Sequence, residues 1–215
     1  MNKFVLFLFS FLLFNCTGDP LFPVLDESEI PTANPHPLFT EKSSFDFNEI
    51  TTLNQAISLI QTKEQAVEYL TWLNKRKNTK AIESGFCSPT QVIEKNCKLD
   101  CASTALLFSA LLSDNGYPSI AILIGARSAT DHMLFLYKLT DKFGTLCLNS
   151  TVEFIQPTFS DIDSLAQTIS EKTKLPFSDT LPTYYDLIDI SEHFPDYLET
   201  DQELEFLGAA YSHKL

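Results

Sequence analysis

Residues 100–125 read DCASTALLFSALLSDNGYPSIAILIG. From 101 to 115 the run stays apolar on nearly every side of a helical projection, and a helix that is apolar all round is a buried helix. Asp100 is placed to act as N-cap and Gly116 as the C-terminal stop, with Pro118 just beyond. Three short strand-like runs follow, at 119–125, 132–138 and 144–150, with residues 141–144 suited to a hairpin turn. A buried helix followed by short adjacent strands predicts an α+β fold, with an antiparallel sheet packed on the helix.

Strand alternation makes this specific. His132, Leu134 and Leu136 share one face, and Thr145, Cys147 and Asn149 share one face of the next strand. With those faces turned to the helix, His132 and Asn149 approach its N-terminal end and Cys147 packs beneath it. Met133, Phe135 and Tyr137 then point away. The aromatic C-terminal region (Phe177, Tyr184, Tyr185, Phe194, Tyr197, Phe206) is the expected cover for them. That region reads as helical, with Thr200 and Glu203 at capping-box spacing. Upstream, Thr62 and Gln65 have the same spacing and open a helix with Ala66, Val67, Leu70 and Leu73 on one face. Residues 78–100 read as an irregular loop.

The same stretch carries chemistry. A thiol at a helix N-terminus lies near free N–H groups and the positive end of the helix dipole, which favour thiolate. Cys101 opens the buried helix. An imidazole within reach takes and returns the proton, and His132 opens the second strand. A third polar group fixes the imidazole tautomer, and Asn149 stands late in the third strand. The backbone N–H of Cys101 is one natural oxyanion donor, and Asn96 or Gln91 is a candidate for the second.

The pattern from Cys101 to Ser150 resembles the core of the transglutaminase-like superfamily, relatives of the papain-type cysteine proteases. Cys101, Ala105, Gly116 and Pro118 stand at that family's offsets, and His132 and Asn149 follow at family-like spacings. The resemblance implies a papain-like fold, with the central helix bearing the thiol and extra helices on both sides. It also implies a Cys101–His132–Asn149 triad that acts on amides, as a peptidase, an amidase or a transglutaminase. Leu134 stands where the family commonly has an aromatic residue, Leu99 where it often has Gly, and Asn149 where it usually has Asp. The first and the last of these departures slightly favour a second reading, a catalytically silent domain that uses the same cleft to bind a peptide or a host protein.

The remaining cysteines suggest a brace. Cys87 and Cys97 are ten positions apart in the loop before Cys101 and read as a disulfide in an oxidising compartment. A Cys97–Cys101 bridge is the competing arrangement and would silence or redox-gate the thiol. Cys87, Cys97, Cys101 and His132 match no common zinc spacing, so neither metal nor cofactor is expected.

The N-terminus reads as an address. Lys3 precedes an apolar run from Phe4 to Phe14 that is too short to span a bilayer. Cys16 follows in LFNC, which resembles a loose bacterial lipobox of the kind found in spirochaetes. The resemblance implies that residues 1–15 are a lipoprotein signal peptide and Cys16 the lipid attachment; the other reading is a plain secretory signal with Cys16 incidental. Five of the eleven prolines, Pro20, Pro23, Pro31, Pro35 and Pro37, fall in the next stretch. Residues 16–44 therefore read as a solvated tether, with His36 exposed in it, and 45–215 as a single domain. Thr17, where an Asp would signal inner-membrane retention, points to an outer-membrane, periplasmic or surface location.

Composition bounds the remainder. A net charge of −13 speaks against nucleic-acid binding. The acidic C-terminal region, including Asp186, Asp189 and Glu192, reads as a solvated surface, with His193 and His213 exposed in it. The expected protein is a lipid-anchored thiol enzyme acting on peptide or protein amides.

Overall fold

A computed structural model of the chain describes residues 25–35, 46–76, 86–95, 97–125, 132–148, 152–172, 182–199, 203–204 and 213–215. The signal peptide, Cys16, His36, Asn96, Asn149, Phe177 and Phe206 lie outside them. In chain order the elements are α1 (Leu53–Leu59), α2 (Lys63–Arg76), β1 (Phe86–Cys87), α3 (Pro89–Glu94), α4 (Cys101–Leu112), β2 (Ile120–Gly125), β3 (His132–Leu139) and β4 (Lys142–Leu148). They continue with β5 (Val152–Phe159), α5 (Ile162–Lys172), β6 (Tyr184–Asp189), α6 (Ile190–His193), β7 (Glu203–Leu204) and β8 (His213–Lys214). The fold is α+β. Six strands form one antiparallel sheet in the order β5-β4-β3-β2-β6-β8, and β1 pairs with β7 apart from it. Among the described residues no helix is long and apolar enough to cross a membrane.

α4 forms where its sequence directs. The Asp100 carboxylate accepts from the Ser103 N–H at 2.7 Å and caps the first turn. After Leu112 a 3₁₀ turn runs to Asn115, and Gly116 ends it at φ 82°, a left-handed conformation that glycine adopts without Cβ strain. A side chain there would also collide with the Asn34 carbonyl, 2.2 Å from an added Cβ. The capping box of α2 is present, with Gln65 N–H donating to Thr62 Oγ1 at 3.0 Å and Thr62 N–H to Gln65 Oε1 at 3.1 Å. Strands β2, β3 and β4 fall within two residues of their expected bounds.

The facing of the sheet differs from expectation. Met133, Phe135, Tyr137, Leu146, Ala121 and Leu123 pack in the cluster that contains α4, with Phe135 and Phe108 ring centroids 6.2 Å apart. Leu134, Leu136 and Cys147 pack on the opposite face with Ile162, Leu165, Ala166 and Ile169 of α5. The alternation is as read from the sequence, but it is assigned to the other cover. Cys147 accordingly packs under α5 and not under α4. The physical reason is that β2 and the first six residues of β3 are buried throughout. A strand covered on both faces carries no polar side to mark which helix it meets.

The second cover and the sheet's third neighbour come from outside the deciding stretch. β5 and α5 lie in residues 151–172, to which the sequence reading assigns no element. The C-terminal region supplies a strand where helices were expected. β6 pairs with β2 from Ile120↔Asp189 to Gly125↔Tyr184, because its aromatic and aliphatic residues suit a central position beside β2. Glu203, expected to begin a helix, instead pairs with Cys87.

Residues 25–35, expected as part of a solvated tether, run along the domain. Ile30 is buried in the α5-face cluster with Leu25 packed beside it, and Ala33 is buried in the α4-face cluster. Ala33 N–H donates to Lys138 O at 2.7 Å and Asn34 N–H to Gly116 O at 2.9 Å. Glu27 accepts from the Ile162 N–H that opens α5, at 3.3 Å. Two apolar side chains placed among the prolines, Ile30 and Ala33, are what bind this strap to the surface. Residues 86–95, read as loop, instead form β1 and α3. Ser88, Pro89 and Gln91 form a capping box with proline in the first turn of α3.

Candidate active site

The site is built where α4 begins and β3 begins. Cys101 is the first residue of α4, so its own N–H and that of Ala102 are among the four that no helical carbonyl receives. Both lie at its sulfur, together with the backbone N–H of Met133 from β3. Cys101 remains partly exposed, whereas the helix behind it is buried from Ala102 to Leu112. The arrangement is a largely desolvated thiol, with three backbone N–H groups favouring its ionised form, on the end of a helix that packing holds rigid.

The thiol's acidity is set by opposing effects. Burial is the largest and pushes the thiol above its ordinary value; the Met133 N–H opposes it, the Asp100 carboxylate adds to it, and the Ala102 and Cys101 N–H groups oppose it. Asp100 is held in place by the Ser103 N–H and hydroxyl, each at 2.7 Å. The net direction is upward, against the thiolate expected from helix position alone. The N–H groups at the helix start favour the thiolate, but desolvation of the thiol outweighs them.

His132 is buried at the head of β3. Its neighbour Met133 contributes the N–H at the Cys101 sulfur, so the sulfur lies beside the peptide unit joining the two residues. In register, His132 pairs with Ile124 and is in phase with Leu134 and Leu136, which face α5, so alternation does not turn it to the start of α4 as the sequence reading expected. Asn149 lies outside the described residues, and so does Asn96. Gln91 is engaged in capping α3, where its Oε1 accepts from the Ser88 N–H at 3.1 Å. The Met133 N–H was missed as a site group because a backbone donor leaves no mark in a sequence.

The disulfide is formed between Cys87 and Cys97, with Cα atoms 6.3 Å apart, and Cys101 is a free thiol. It ties the start of α3 to the segment that leads into Cys101. Among the described residues no three His, Cys, Asp or Glu side chains gather as a metal site would require.

No protein-family model matches the chain. No curated protein matches it in sequence either. What the site can do therefore rests on its own residues.

Three polar residues read as surface groups are placed differently. His193 is buried, with Nδ1 donating to Asp189 O at 3.0 Å. His213 is half-buried and stacks on Tyr185, ring centroids 4.6 Å apart. Asp186 is 1% exposed. It pairs with Leu123, which pairs in turn with Met133. Asp186 and Met133 therefore occupy one row on one face of the sheet, about 10 Å apart across two strand spacings. Its charge suggested a solvated position, but the alternation of β6 carries it inward.

Proposed function

We propose that the protein is a lipid-anchored cysteine acyl-transfer enzyme of the papain-like, transglutaminase-like kind. The observation that carries the reading is Cys101, a partly exposed residue with a free thiol at the start of a buried helix, where the N–H groups of Met133, Ala102 and Cys101 favour its thiolate. In this reading the sulfur adds to an amide carbonyl carbon and His132 accepts the thiol proton. The tetrahedral intermediate then collapses, the C–N bond breaks, and His132 returns the proton to the leaving amine. The thioester that remains passes its acyl group to water or to a second amine. Water makes the enzyme a peptidase or amidase, and a lysine amine makes it a transglutaminase.

The reading has two geometric requirements: the His132 ring, in phase with Leu134 and Leu136 on the α5 face, has to turn at the strand end to meet the Cys101 sulfur on the α4 side, and Asn149 has to stand beside it. The β3–β4 register, in which Phe135 pairs with Leu146 and Leu136 with Thr145, would have to continue outward by three residues. Asn149 would then stand opposite His132 and accept from its ring. The second reading, a silent domain that binds a peptide or host protein, is favoured by the burial that pushes the Cys101 thiol up.

The test is alkylation of Cys101 by iodoacetamide across pH, with His132→Ala alongside. If His132 serves as the base, the variant reacts more slowly than the parent at neutral pH by at least about tenfold, the low end for a positioned general base. Equal rates for the two proteins, both rising only above the ordinary thiol range, would overturn the enzymatic reading and leave the binding one.

A further inference from the structure

The docked strap restricts how an anchored chain can sit on its membrane. This inference rests on Cys16 carrying lipid. From Cys16 to Leu25, where the described part of the strap begins, only residues 17–24 intervene. That stretch spans at most roughly 30 Å when fully extended, whereas a tether running to residue 44 would reach about three times as far.

The direction in which the strap leaves the domain matters as much as its length. Leu25 packs with the α5-face cluster, and Glu27 meets the start of α5. The strap then rounds the end of the sheet where Ala33 meets Lys138 and Asn34 meets Gly116. Gly116 follows the last turn of α4. Cys101 is at the other end of α4, a helix of 12 residues, and on the opposite face of the sheet from Leu25. The offset along the helix is about 18 Å, and the sheet with its helical layers separates the two faces. A domain of this size has a half-perimeter of roughly 60 Å, about twice what residues 17–24 can span.

We propose that the α5 side of the domain is held toward the bilayer and that the Cys101 end of α4 is turned away from it. The substrates or ligands of the site are then amide-bearing peptides or proteins in the aqueous space beyond the membrane. Groups on lipids of the anchoring bilayer do not reach the sulfur.

The test uses the lipidated full chain on phosphatidylcholine vesicles and two maleimides. One is carried on a water-soluble polymer, and the other is attached to a phosphatidylethanolamine headgroup in the same bilayer. Cys101 is the thiol to be read, because Cys87 and Cys97 are bridged and Cys147 is buried; Cys101→Ser sets the background. The soluble reagent is expected to label the parent chain. The lipid-borne reagent is expected to label it more than about tenfold slower than it labels a variant with 30 Gly/Ser residues inserted between Val24 and Leu25, since a tether that cannot span its sites gives almost no effective concentration. Equal labelling of the two chains by the lipid-borne reagent would overturn the orientation while leaving the anchor and the thiol chemistry intact. Failure of the parent chain to float with vesicles would overturn the anchor and with it the orientation, independently of the iodoacetamide result.

Discussion

The two faces of the sheet are covered by helices of opposite character. In α4 eleven of 12 residues are buried, so neighbours surround it. In α5 five of 11 are buried, and these form a single stripe against the strands. The α4 face is continuous with α1, α2, α3 and the disulfide loop, and it carries Cys101. The α5 face is smaller, is completed by Ile30 of the strap, and shares the alternation phase of His132. A rigid, enclosed helix suits a residue whose position must be held. A one-sided helix suits a cover whose outer surface meets water.

That contrast can be broken by measurement. The largest effect is expected on the α4 face. Phe108→Ala removes a fully buried ring that packs on Phe135, where surrounding helices leave little room to collapse, and should destabilise by about 3–5 kcal/mol in urea unfolding. Leu165→Ala on the α5 face is the counterpart of Leu111→Ala on α4, since both leucines are fully buried. Because α5 has a free outer side and can settle inward, the expected loss is about 2–3 kcal/mol, at the low end for such sites. Equal losses would show that both covers are equally constrained.

A smaller effect is expected at the strap. Ile30→Ala should reduce stability by about 1–2 kcal/mol, a part of the transfer free energy of its side chain. Its clearer signature is faster hydrogen exchange at the Ala33 and Asn34 amides, which bond to Lys138 and Gly116, with α4 amides unaffected. If α4 exchanges faster as well, the strap is part of the main cooperative unit.

At neutral pH the last difference is silent. Burial raises the phenols of Tyr69 and Tyr137 on the α4 face and of Tyr185 on the α5 face, and raises Tyr117 to about 12. Folded phenols that hold protons more tightly than unfolded ones contribute stability that is complete below about pH 10 and is lost as pH rises through the folded values. Tyrosinate absorbance should therefore show these groups ionising together with unfolding above pH 10. Early, independent titration of Tyr185 alone would mark the α5 side as the one that opens first.

How much of this was legible depends on the kind of signal. Asp100, the apolar run of α4, and Gly116 with Pro118 are local, and the structure places them as the sequence reads. The Cys87–Cys97 bridge followed from spacing and compartment. The Ser88–Gln91 capping box was equally local and equally visible, yet the surrounding loop-like composition hid it. β6 was obscured by its acidic residues, because Asp186 looks solvated until its pairing with β2 turns it inward.

By itself the sequence determined that a buried helix begins at Cys101, that three antiparallel strands follow it, and that His132 opens the second. Those features depend on residues within a few positions of one another, through capping, hydrophobic run length and turn chemistry. Only the tertiary structure decided which face of β3 meets α4, that the strap lies on the domain, and that burial outweighs the helix terminus at the Cys101 sulfur. Each of these is a competition between surfaces distant in the chain. Its outcome depends on how much water is excluded when they meet, a quantity that no local stretch of sequence contains.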